Sequence, residues 1–211
     1  KRIGASDGNP DEGQVSVYES VMAITPHSVM TRTPHTDRLA ILNKSENGIK
    51  TLAALITIER VKFLWLVTLT LKDNAIHDDG MAALASAFAS GTGTLPRLDV
   101  LEFYKNKIGA VGMQAFASAL ARGHLNSLSK LSLSDHDIGT AGMTAFASAA
   151  SGSGSKLFLP NLIELKWTND NIGDDGMKAF ASAVARGALP YLYKLWLNGN
   201  QIGNGGMKEF A

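Results

Sequence analysis

The chain has 211 residues, of which 45% are apolar and 18% charged, with a formal net charge of +1. That is globular composition with enough apolar residues for a sizeable core, in one large domain or two small ones. So small a net charge argues against attraction to nucleic acid or to an anionic membrane surface. The absence of cysteine excludes disulfides, thiolate metal sites and a cysteine nucleophile.

The chain starts at Lys1 with no signal-peptide pattern behind it, as expected of a processed chain or a fragment. Residues 1–37 carry Gly, Pro, Ser and Thr without a sustained period. They are expected to form an N-terminal extension or arm, ordered only where it docks, with Gln14 to Ile24 able to make a short strand or helix. Over 38–65, Leu39, Leu42, Asn47 and Ile49 keep the offsets of a phrase that recurs downstream, with Lys44 where its third leucine belongs. This stretch is expected to be a degenerate capping repeat, or else an amphipathic helix over 50–60 that covers the first strand. The longest apolar run, Thr51 to Leu71, is interrupted by Glu59, Arg60 and Lys62, so no direct membrane span is expected.

From residue 66 onward the phrase repeats five times. The first copy places Leu66, Leu69, Leu71, Asn74 and Ile76 ahead of Gly80-Met81. The second reads Leu98, Leu101, Phe103, Asn106, Ile108, Gly112, Met113, and the third Leu128, Leu131, Leu133, His136, Ile138, Gly142, Met143. Leu162, Leu165, Trp167, Asp170, Ile172, Gly176, Met177 and Leu192, Leu195, Leu197, Asn200, Ile202, Gly206, Met207 complete the set. Successive copies start 32, 30, 34 and 30 residues apart. The L-x-x-L-x-L opening alternates as a short half-buried strand does. The polar residue of the phrase (Asn74, Asn106, His136, Asp170, Asn200) is placed to satisfy backbone groups of a neighbouring coil. A helix follows in each copy. Met81, Leu84, Ala85 and Phe88 lie on one helical stripe, as do Met113, Phe116, Ala117 and Leu120. Asp78, Asp79, Asp174 and Asp175 are expected to cap the starts of their own helices. Ala-Ser-Ala at 85–87, 117–119, 147–149 and 181–183 keeps the helices thin, and Gly123 and Gly187 end two of them.

Strand, polar turn and full helix in about 30 residues resembles the ribonuclease-inhibitor-like leucine-rich repeat family. The phrase Ile-Gly-Asp-Asp-Gly-Met-Lys-Ala-Phe-Ala-Ser-Ala (172–183) is similar to repeats of algal and other protist proteins. Members often carry Cys at the polar turn position, and this chain does not. The resemblance covers roughly 66–211, the fifth repeat being incomplete. It implies an α/β fold: a right-handed leucine-rich-repeat solenoid, or horseshoe, with parallel strands on the concave side and helices on the convex side. No compartment follows from it; an intracellular setting is favoured, and the similarity to algal repeats leaves room for an organelle such as a plastid. The last copy stops at Phe210-Ala211, early in its helix, so either the protein is expected to continue or a partner is expected to cover that end.

No HExxH, GxSxG or Walker A pattern is present. Ser151-Gly152-Ser153-Gly154-Ser155-Lys156 and Ser90-Gly91-Thr92-Gly93-Thr94 follow a helix and lead to a strand, the reverse of a phosphate loop, and read as loop insertions. His136 and Asp170 hold the same repeat position in adjacent coils, about 4.8 Å apart, with Asp135 and Asp137 beside them. They are the candidates for a metal or acid–base site. The plainer reading is that both replace Asn in the turn and pair with each other.

Strand residues that do not face the core fall into columns, one per coil. Thr68, Val100, Lys130, Glu164 and Lys194 form one column, and Thr70, Glu102, Ser132, Lys166 and Trp196 the next. Lys72, Tyr104, Ser134, Thr168 and Asn198 form a third. Variation along these columns, on a fixed scaffold, suits a recognition surface. Tyr104 and Trp196 are its expected anchors, since aromatics supply much of the energy at protein interfaces, and Glu102, Lys130, Glu164, Lys166 and Lys194 supply charge. The expected function is therefore a non-catalytic protein–protein interaction scaffold, without cofactor, using the concave sheet or a solenoid end. The alternatives are an accessory subunit of a large assembly and a metal-dependent activity at His136 and Asp170.

Overall fold

The computed structural model describes residues 37–41, 44–58, 63–90, 95–152 and 158–210. The expected arm, apart from Asp37, lies outside the described residues, as do Leu42 and most of both glycine-rich loops. Six strands alternate with six helices among the described residues. They run β1 Arg38–Ala40, α1 Glu46–Ile58, β2 Thr68–Thr70, α2 Asp78–Ala89, β3 Val100–Glu102 and α3 Ala110–Ala121. They continue with β4 Lys130–Ser132, α4 Gly139–Gly152, β5 Glu164–Lys166, α5 Asp174–Ala185, β6 Lys194–Trp196 and α6 Asn204–Met207. A single 3₁₀ turn, Lys208–Phe210, ends the described chain.

Each strand pairs only with its sequence neighbours, always parallel, in the order β1-β2-β3-β4-β5-β6. The sheet is open, and each helix packs on the helices of adjacent coils. This is the α/β solenoid that the repeat implies. The middle residues of the strands (Leu39, Leu69, Leu101, Leu131, Leu165, Leu195) face one another in register. All but Leu195 are buried. Opposite them the helix stripes supply Met81, Met113, Met143 and Met177, each fully buried, and the aromatic column Phe88, Phe116, Phe146 and Phe180. Phe116 meets Phe103 edge-on at 5.4 Å between ring centroids, and Phe146 meets Trp167 in the same way at 5.1 Å. The small Ala117 and Ala147 are also buried, which lets the helices stack closely.

The first coil is correctly placed only after a shift of three residues from the sequence expectation. Leu39 pairs with Leu69, not with the position of Leu66. Lys44 then stands beside Asn74, and Asn47 falls inside α1. The reason is that Leu39 and Leu42 are themselves three apart, so L-x-x-L spacing fits two registers equally well. Seven residues separate Leu39 from Glu46, against nine from Leu69 to Asp78. This shorter connection hides the register from a search at fixed offsets. The helix α1 buries Ile49, Leu52, Ala53 and Ile56, the same stripe that Met81, Leu84, Ala85 and Phe88 form in α2.

The acidic residues at the helix starts also act differently from the expectation. No side chain caps α2, α3, α5 or α6 from its own N-cap residue, which is His77, Gly109, Gly173 or Gly203. Instead Asp78 reaches forward to the next coil, where its Oδ1 accepts the N–H groups of Gly109 (2.7 Å) and Gly112 (2.9 Å). Asp174 accepts from Gly203 (2.6 Å), Thr140 Oγ1 from Gly173 (3.1 Å), and Glu46 from His77 (2.9 Å) and Gly80. These helix starts leave N–H groups unpaired within the helix and carry the positive end of the dipole, so a carboxylate from the coil before satisfies both. The close approach needs glycine: a Cβ at Gly112 would lie 2.7 Å from Asp78 Oδ1 and 3.0 Å from its Cα.

Asp78→Ala is therefore expected to lower stability by about 2–3 kcal/mol, because two charge-assisted hydrogen bonds are lost. Asp79→Ala should cost below about 0.5 kcal/mol, since Asp79 is exposed and makes only a surface ion pair with Lys50. Urea unfolding of the two variants checks this. Equal losses would restore the reading in which each aspartate caps its own helix.

Candidate functional site

Two places suggested by the sequence are resolved differently by the structure. His136 and Asp170 belong to a buried ladder that runs through the coils. The backbone N–H of Lys44 donates to Asn74 Oδ1 (2.7 Å), that of Asn74 to Asn106 Oδ1 (3.1 Å), and that of Asn106 to His136 Nδ1 (3.2 Å). His136 N–H donates in turn to Asp170 Oδ1 (2.8 Å), and Asp170 N–H to Asn200 Oδ1 (3.0 Å). Each asparagine also donates from Nδ2 to strand-end carbonyls, as Asn200 does to Trp167 (2.7 Å) and Leu197 (3.0 Å). His136 and Asp170 therefore interact through backbone N–H and carboxylate, not ring to carboxylate.

At these two positions the donating half of the ladder is missing. His136 Nε2 and Asp170 Oδ2 are buried without a partner. Burial holds the His136 imidazole down at about 4 and pushes the Asp170 carboxyl up to about 8, with Asp135 and Asp137 raising the latter further. Both groups are neutral at pH 7. Asp135 and Asp137 turn outward and accept from Asn169 Nδ2 (2.8 Å) and Asn171 Nδ2 (3.0 Å). Among the described residues no group of three His, Asp or Glu could hold a metal, so the metal reading finds no third ligand here.

Opposite pH windows follow from these shifts. The raised Asp170 carboxyl stabilises the fold fully below the ordinary carboxylate range, and this contribution is lost as pH rises to about 8. The lowered His136 imidazole contributes stability above about 6.5, which is lost as pH falls to about 4. Between about pH 4 and 6.5 the two slopes oppose each other. Asp170→Asn should raise stability at pH 7.5 by about 1–3 kcal/mol, and leave it rising from pH 4 to 6.5. His136→Asn should leave stability falling steadily from pH 4 to 8. Urea midpoints across this range read both, and a loss of stability in Asp170→Asn at pH 7.5 would contradict a neutral Asp170.

The concave face is the second place, and the strand register sets its columns as the sequence implied. Lys130, Glu164 and Lys194 are consecutive partners, as are Ser132, Lys166 and Trp196. A groove of about 390 Å³ crosses the strands, with Arg38 at one end and Lys166 at the other. Glu102 Oε2 accepts from Thr70 Oγ1 at 2.9 Å, and Glu164 pairs with Lys166 at 3.4 Å. Lys130 and Lys194 are exposed.

The two expected anchors differ. Trp196 is 46% exposed on the outer strand β6. Tyr104 is half-buried, with the ammonium groups of Lys72 and Lys105 at 4.9 and 5.4 Å from its ring centre, so its ring is already engaged by cations. Ser134 is buried and accepts from Thr168 N–H (3.2 Å), which removes it from the surface.

Sequence reasoning missed the turn that follows each of the strands β2 to β6. Asp73, Lys105, Asp135, Asn169 and Gly199 all have φ between 52° and 71°, the left-handed region. Four of the five are Asp, Asn or Gly, the types that tolerate it, and that was the available signal. It also missed Tyr191 and Tyr193, which are 67% and 82% exposed beside β6.

The family described as "Leucine Rich repeat" matches residues 64–85, 124–147 and 189–211. No curated protein matches the chain. Among solved structures, an internalin (inlF) from Listeria monocytogenes is similar, at 16% sequence identity and a TM-score of 0.35. That match covers 82% of this chain and 51% of the internalin chain, so the chain spans about half the length of that structure. The repeated phrase, the parallel open sheet with one helix per coil and the three matched segments lead to one conclusion: the chain has the fold of an α/β leucine-rich-repeat solenoid.

Proposed function

We propose that this protein is a non-catalytic interaction scaffold that receives a protein partner on its concave sheet. Leucine-rich repeats generally mediate protein–protein interaction, and one observation supports that use here. Along each strand the inward residue is the same leucine in all six coils, while its outward neighbour is Arg38, Thr68, Val100, Lys130, Glu164 or Lys194. A face needed only for packing has no use for such variety. In this reading 66–211 is the recognition unit, of ribonuclease-inhibitor-like style, 38–65 is its cap and 1–37 an arm.

A second reading, the accessory subunit, is favoured by the outer coil. Tyr191 and Tyr193 are 67% and 82% exposed there, as a surface covered by a permanent neighbour would be.

Capture from extracts of the source organism separates the two. Three baits are compared with the wild type: Lys166→Ala/Trp196→Ala on the concave face, Tyr193→Ala/Met207→Ala on the outer coil, and Gln114→Ala/Lys178→Ala on the helices. Recognition on the concave face is expected to cut capture at least ten-fold with the first bait alone. Loss with the outer-coil bait alone would establish the subunit reading in its place.

A further inference from the structure

The charges of one concave column are spaced like the turns of a helix, and this names a kind of partner. Lys130, Glu164 and Lys194 stand on adjacent strands at equivalent positions. Neighbouring strands are about 4.8 Å apart, so Lys130 and Lys194 are separated by about 9.6 Å. One turn of α-helix advances about 5.4 Å, and residues seven apart share a face about 10.5 Å apart. A helix lying across the strands therefore meets Lys130 with residue i, Glu164 with residue i+3 or i+4, and Lys194 with residue i+7.

The ion-pair pattern sets the signs. Glu164 is half-buried and paired with Lys166. Lys130 and Lys194 are exposed, and neither has an ion pair among the described residues. An acidic residue suits both lysines and is repelled above Glu164. Further along the groove the column is uncharged at Val100 and Thr68, then ends at exposed Arg38, three strands from Lys130. That is about 14 Å, or roughly ten residues of helix.

We infer that the concave sheet docks an amphipathic helix of a protein partner, laid across the strands, with acidic residues seven apart over Lys130 and Lys194, none between them over Glu164, and a further acidic residue three turns before them over Arg38. This rests on the concave reading above and goes beyond it by fixing the partner's shape and charge order.

The test uses three fluorescein-labelled, alanine-based helical peptides of 24 residues. The first carries Glu at i−11, i and i+7 with Lys at i+4. The second has the same composition with the charges spread around the helix. The third exchanges every Glu and Lys of the first. Binding to the full chain is read by fluorescence anisotropy at low and at physiological salt.

The expected result is that the first peptide binds at least ten-fold tighter than the third and about three-fold tighter than the second, with affinity falling as salt rises. The exposed-site variant Lys130→Glu/Lys194→Glu, checked for an unchanged unfolding midpoint, should invert the preference between the first and third peptides. Equal binding of the first and third peptides, failure of the inversion, or no binding by any peptide at millimolar concentration would overturn the helix proposal. The capture experiment above answers separately: loss of a native partner with the Lys166→Ala/Trp196→Ala bait would preserve the concave reading even then.

Discussion

The second, third and fourth coils of this protein bury amide groups of the turn that leaves the strand, and those amides must be paired or the fold is not worth forming. The pairing comes from outside the coil. One side chain per repeat, placed eight residues after the first leucine, accepts from the coil before it. Backbone turn and side chain are therefore satisfied only in a stack. The leucine core depends on the same arrangement, because it closes only when the turns are held at one strand spacing.

This dependence explains which parts of the structure were legible in the sequence. Repeated leucines, a methionine–phenylalanine stripe and glycine at the helix starts are selected by packing alone, and packing repeats identically in each coil. They gave the strands, the helices and the columns on the concave face. The first coil escaped because Leu39 and Leu42 satisfy two registers and the two-residue shortening before Glu46 is not marked by any residue type. The aspartates were misassigned for a different reason. A carboxylate at a helix start serves its own helix or the next one equally well on paper, and only the stacking distance decides.

The concave face was legible as positions but not as energies. The sequence placed Tyr104 and Trp196 on the same face and treated them alike. Tyr104 turned out to lie between two lysines, which depends on side-chain reach across a turn and not on spacing. His136 and Asp170 were the reverse case: their types suggested chemistry, whereas their environment, buried and without charge at neutral pH, serves the stack. Substituting a less suitable residue in the ladder leaves an unpaired atom, and two adjacent coils carry such substitutions.

The straps between helices are not uniform along the array. Glu46, Asp78, Thr140 and Asp174 each tie one coil to the next, but the third coil has Ala110 at that position, whose side chain has no acceptor to offer the fourth. The same junction carries the imperfect ladder bond to His136, whose second nitrogen is unpaired. In a structure held together only by neighbour-to-neighbour contacts, the least reinforced junction is where cooperative opening divides the molecule. The third and fourth coils are thus joined by strand pairing, helix packing and the ladder, without the helix-start strap that the other junctions carry.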